Sequence, residues 1–125
     1  MATIHQRLGH HRRAVDEHQH ALTLGRRTDN RFAAVSALIG LADAYRCLGD
    51  PERAVTCAEE AIADAASTGH RILEGAAHTA LAAALLALDR PVPAADHARR
   101  ALTIHRATGH RLGQADARAV LTGIS

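Results

Sequence analysis

The chain has 125 residues, 47% of them apolar and 22% charged, with a formal charge of +2. That length carries one domain at most, and that apolar share argues against a disordered chain. Aromatics are only 2% while alanine counts 29, which excludes the pleated faces of a sandwich or barrel and predicts an all-α protein packed through small side chains.

Along the chain, a short helical stub over Thr3–Leu8 comes first. A turn at Gly9-His10-His11 follows, then a helix over Arg12–Arg26 with Ala14, Val15, His18, Ala21 and Leu22 on one face. Over Asn30–Leu48, Val35, Leu38, Leu41, Ala42, Tyr45 and Leu48 recur at three- and four-residue steps, the stripe of an amphipathic helix. Gly49 suits a left-handed C-terminal cap. Asp50 can cap the next helix, Pro51 fits its first turn and Glu52 favours its positive end. Ala54, Val55, Ala58, Ala61 and Ile62 form the stripe of a helix over Pro51–Thr68, which Gly69 ends. Helices over His70–Leu88 and Val92–Thr108 repeat the pair. A last helix over His110–Thr122 brings Leu112, Ala115, Ala119, Val120, Leu121 and Ile124, which is apolar for an end unit.

These elements are copies of one another. Leu8-Gly9 through Ala14-Val15 aligns with Leu48-Gly49 through Ala54-Val55 at an offset of 40 residues. Thr68-Gly69-His70-Arg71 recurs as Thr108-Gly109-His110-Arg111, with Thr28-Asp29-Asn30-Arg31 in the matching place before them. Leu41, Leu81 and Leu121 fall in the same register, as do Ala14, Ala54, Ala94 and Ala21, Ala61, Ala101. A methyl at these positions lets two helices approach to the short end of the usual range of about 8–10 Å.

The middle copy reads Leu38-x-x-Leu41-Ala42-x-x-Tyr45, then Gly49-Asp50-Pro51, then Ala54-x-x-x-Ala58-x-x-Ala61. This resembles the tetratricopeptide repeat family, with Leu38 for its Trp, Ala42 for its Gly, Ala58 for its second-helix aromatic and Ala66 for its helix-ending Pro. The resemblance covers nearly the whole chain and implies an α-solenoid of stacked antiparallel helix pairs. It divides one domain, 1–125, into a partial repeat at 1–29, repeats at 30–69 and 70–109, and a terminal helix at 110–125. In this register Met1 falls inside a first helix. The texture, rich in Ala, Arg and His with a Thr-Gly-His-Arg turn, is similar to the C-terminal repeats of actinobacterial transcriptional regulators.

Ten histidines invite a metal, but no two stand four apart on a helix, so no metal site is expected. His18 takes the place of the family's aromatic and is expected to pack half-buried; His70 and His110 are expected as surface turn residues. Cys47 and Cys57 lack a CxxC partner and are expected as small hydrophobes. No phosphate-cradling glycine loop or Gly-x-Ser-x-Gly is present, so neither an enzyme nor a cofactor is expected. All fifteen Lys/Arg positions are Arg. Residues 1–31 and 91–125 are each net +3 and residues 32–90 net −4. The basic clusters lack interleaved aromatics, so nucleic acid is not an expected partner. No apolar stretch is long enough to span a membrane, and Met1–Arg7 lacks the apolar core of a signal peptide, so the cytoplasm is the expected location.

What remains is the surface that stacked pairs create. The resemblance places Ser36, Ile39, Gly40, Asp43, Arg46 and Cys47 on the inner face of one repeat, and Ala76, Thr79, Ala80, Ala83, Leu86 and Ala87 on the next. From these, Ser36, Ile39, Asp43, Arg46, Thr79, Ala83 and Leu86 are the expected partner-binding groove for an apolar helix or extended segment. The expected function is a protein–protein interaction module, the C-terminal part of a bacterial regulator, and a homodimer formed through an open end. The alternatives are a purely structural oligomerisation unit and a histidine-based metal sensor or enzyme.

Overall fold

A computed structural model describes the backbone of residues 4–124 and the side chains of residues 7–124. Six helices follow one another: α1 Ile4–Arg27, α2 Arg31–Cys47, α3 Pro51–Thr68, α4 Arg71–Ala87, α5 Pro91–Thr108 and α6 Arg111–Ile124. Between them lie turns of two or three residues, which force antiparallel neighbours.

All five turns close in the same way. Asp29, Gly49, Gly69, Asp89 and Gly109 adopt left-handed backbone, with φ between 55° and 81°. In each, the following amide donates to the carbonyl five residues back: Asn30 to Gly25 at 2.7 Å, Asp50 to Tyr45 at 2.9 Å, His70 to Ala65 at 3.1 Å, Arg90 to Leu85 at 2.9 Å and His110 to His105 at 2.8 Å. These bonds satisfy carbonyls that a helix end leaves open. Aspartate stands in for glycine twice, since its short polar side chain tolerates this conformation. The next helix is then capped. Asn30 accepts from the Ala33 amide at 3.1 Å and Asp50 from that of Arg53 at 3.3 Å. Pro51 and Pro91 sit in the first turns of α3 and α5.

The expected turn at Gly9 is absent. α1 runs unbroken through Gly9-His10-His11, so the stub and the helix over Arg12–Arg26 are one element; Thr3 lies outside the described residues. The reason is local. Pro51 and Pro91 cannot continue the preceding helix and push the residue before them out of helical geometry, whereas His11 occupies the matching place and imposes neither restraint.

α2 packs on α4 and α4 on α6, forming one layer; α3 packs between α2 and α4, α5 between α4 and α6, and α1 against α2. The second layer meets the first through alanine. Ala54, Ala58, Ala61 and Ala65 on α3, and Ala94, Ala98 and Ala101 on α5, are fully buried. Val35, Leu38, Leu81 and Leu85 supply the larger core side chains. Ala21 keeps the repeat register but is exposed and Ala14 only half-buried, because the described chain sets a helix, α2, on one side of α1 only.

Candidate functional site

The layer α2–α4–α6 encloses a cleft of about 310 Å3. Ile39, Asp43 and Arg46 come from α2, Ala76, Thr79, Ala80 and Ala83 from α4, and Gly113, Asp116, Ala119 and Val120 from α6; His105 and His110 stand at its end. The walls are small and apolar because the helices meet through alanine and glycine. The charges are few. Asp43 pairs with Arg46 one turn on at 3.9 Å. The Asp43 side chain keeps 56% of its surface exposed, and its partial burial pushes the carboxyl pKa up; Arg46 opposes this, Asp116 across the cleft adds to it and His18 opposes it. Arg46 Nε is shut off from solvent and bonds nothing among the described residues.

Of the residues expected for the groove, Ile39, Asp43, Arg46, Thr79 and Ala83 are brought together here, with Ala76 and Ala80. Ser36 and Leu86 are half-buried and do not line the cleft. Leu86 packs on the core instead, near the Gly123 turn of α6. Gly40 lies under the His18 ring: a Cβ there would stand 2.4 Å from His18 Cε1, so His18 does pack half-buried. Cys47 and Ala87 are exposed outside the cleft, and Cys57 is half-buried with its thiol pKa raised by burial and then by Glu60. The missed wall is that of α6. Asp116, Ala119 and Val120 are the 40-residue images of Ala76, Thr79 and Ala80, so carrying the register one step further finds them.

The histidines have other work. His70 and His110 are half-buried rather than surface turn residues. His70 shares a hydrogen bond with Thr68 Oγ1 at 3.0 Å, and His110 Nδ1 accepts from the Gly113 amide at 3.1 Å, capping α6. His105 is 1% exposed and stands where α3 has Ala65. The ring fits because Gly75 and Gly113 face it: a Cβ on either would come within 2.7 Å and 2.4 Å of its Cε1. Among the described residues no three His, Cys, Asp or Glu side chains gather into a metal-binding group.

The tetratricopeptide repeat family profile matches residues 1–67, more than half of the sequence. The chain belongs to the tetratricopeptide repeat family. Tetratricopeptide repeats generally mediate contacts between proteins, and the family is typically non-enzymatic. The cleft is lined by α2, α4 and α6, the first helices of successive pairs. No curated protein matches the chain. Among the described residues no helix is long and apolar enough to cross a membrane.

Proposed function

We propose that the chain is a protein–protein interaction module whose α2–α4–α6 cleft holds a helix or extended segment of a partner. The observation that carries this reading is the meeting of two acids from different helices, Asp43 and Asp116, across alanine walls. A segment with small apolar side chains fills such walls, and a basic residue on it is favoured beside the two acids. A carbonyl or carboxylate of the same segment satisfies Arg46 Nε. The test compares partner binding by the parent chain, Arg46→Ala and Arg53→Ala. Arg53 lies outside the cleft, over the Tyr45 ring at 5.6 Å. Arg46→Ala is expected to weaken binding and Arg53→Ala to leave it unchanged; equal effects in a titration remove the cleft from the interface.

In this reading the module serves in the cytoplasm as the C-terminal part of a bacterial transcriptional regulator and acts as a homodimer. Support for the regulator is the Ala-, Arg- and His-rich texture with its Thr68-Gly69-His70-Arg71 and Thr108-Gly109-His110-Arg111 turns. A reporter measurement in the source cell, with and without the gene, tests that part.

A further inference from the structure

The turns joining α1 to α2, α3 to α4 and α5 to α6 lie along one edge of the stack, and the turns α2–α3 and α4–α5 along the other. The edges differ in charge. Residues 26–32, 66–72 and 106–112 hold six arginines and one acid, Asp29. Residues 46–52 and 86–92, on the opposite edge, hold two arginines and three acids.

The basic edge repeats one unit. Arg31-Phe32, Arg71-Ile72 and Arg111-Leu112 open α2, α4 and α6 at the 40-residue interval. Both residue choices are locally unfavourable. An arginine in the first turn opposes the helix dipole. A large apolar side chain held in water forgoes burial, yet Phe32 is 57%, Ile72 45% and Leu112 69% exposed. One such residue is ordinary on any surface. Three in register on adjoining helices make a ladder. Phe32 and Ile72 line one cleft of about 360 Å3 together with Gly69, Leu73 and Thr108. The Phe32 ring meets His70 edge-on at 5.6 Å. Arg71 pairs with Glu74 at 3.4 Å, while Arg31 and Arg111 make no ion pair among the described residues.

We propose that this edge docks an extended acidic peptide carrying an apolar residue at every third position. Packed helices stand about 8–10 Å apart, and α2–α4 and α4–α6 are packed. A polyproline II strand advances about 3.1 Å per residue with three residues per turn, so every third side chain returns to one face after roughly 9 Å. Such a strand sets one apolar side chain on each step of the ladder. Its intervening carboxylates meet Arg31, Arg71 and Arg111, and the arginine excess of this edge selects an acidic occupant over a basic one. Phe32, Ile72 and the three arginines do not line the α2–α4–α6 cleft, so the two surfaces stand or fall separately.

Fluorescence anisotropy of the full chain with a labelled peptide of repeating Leu-Pro-Glu units tests this. The control peptide has equal composition with its leucines gathered at one end. Saturable binding is expected, weaker for the control, and weakened at least about tenfold by Ile72→Ser and by the pair Arg31→Gln, Arg111→Gln. Arg46→Ala is expected to leave it unchanged. These side chains are exposed, so thermal melts of the variants should match the parent, and Phe32→Ser replaces any variant that does not. Absence of saturable binding, equal affinity for the control peptide, or indifference to Ile72→Ser with Phe32→Ser overturns the proposal. So does preferential capture by phosphatidylserine vesicles, which assigns the edge to a membrane, or loss of self-association in the same variants, which assigns it to a second copy.

Discussion

His105 is the largest departure from the alanine rule, and it depends on what faces it. Gly113→Ala would place a methyl 2.4 Å from the ring, so it should destabilise by about 1–3 kcal/mol, the usual cost of overpacking. In a His105→Ala background the same change should stabilise by up to about 1 kcal/mol, because alanine is the better helix former. A change of sign between the two melts checks the cradle; equal losses would mean the glycine serves something else. His78 and His97 form a second residue-scale device. Their rings stack at 5.2 Å, and the two Nδ1 atoms share a hydrogen bond of 2.9 Å, so one donates and the accepting ring is neutral. Burial lowers the His78 pKa from 6.5 to about 4, helped by His97 and Arg100. Burial and Arg100 also lower that of His97, against Asp96 and Glu59. The folded pKa lies below the unfolded one, so the unfolded chain takes up protons first. Stability is therefore full above about pH 6.5 and falls as the pH drops towards 4. Denaturant titrations should show a loss of roughly 1–2 kcal/mol between about pH 7 and 5, and His78→Gln should flatten that slope.

At the scale of the element, one side chain decides whether a repeat has a turn. α1 spans 24 residues because His11 stands where α3 and α5 begin with proline. His11→Pro should remove an intrahelical hydrogen bond and cost about 3 kcal/mol if α1 stays helical. Circular dichroism should register the alternative, a loss of the turns before His11. Unchanged helicity and unchanged melting would show that the residues before His11 contribute no helix in solution. The opposite end is built with less margin. α6 buries only Gly113 and Ala117, while Leu112 is 69% exposed, yet this short helix forms one whole wall of the cleft.

For the whole molecule, the two ends carry apolar surface that the described chain leaves partly open. Ala14, Val15, His18 and Leu22 on α1 are half-buried and Leu24 is exposed; Val120, Leu121 and Ile124 on α6 are half-buried. Each repeat needs a neighbour to bury its apolar side. A few hundred Å2 of such surface, at about 25 cal/mol per Å2, is an incentive of several kcal/mol to pair, and a two-fold interface closes without growing into a fibre. Sedimentation at neutral pH and moderate salt should find a homodimer, loosened at low salt because both ends are net basic. A monomer at high concentration would show that α1 and α6 are adequate caps.

Helices α2 to α6, their approximate ends and the 40-residue register are written in the sequence, whereas the expected start of α1 is not what the fold shows. These follow from short-range physics: apolar spacing at three and four residues, left-handed glycine or aspartate, and proline in the first turn. The missing turn at Gly9 was legible in the same terms, in the absence of a proline at His11. The cleft was half legible, since the family resemblance places Ile39, Asp43, Arg46, Thr79 and Ala83 on the inner face, and the 40-residue register carried one repeat further adds Asp116, Ala119 and Val120. Three further facts belong to the packed molecule: Leu86 turns to the core, His105 lies between two glycines, and His78 meets His97. Those contacts join residues on different helices, and their existence depends on the rotation and separation of packed helices, which are set by all the side chains of an interface together.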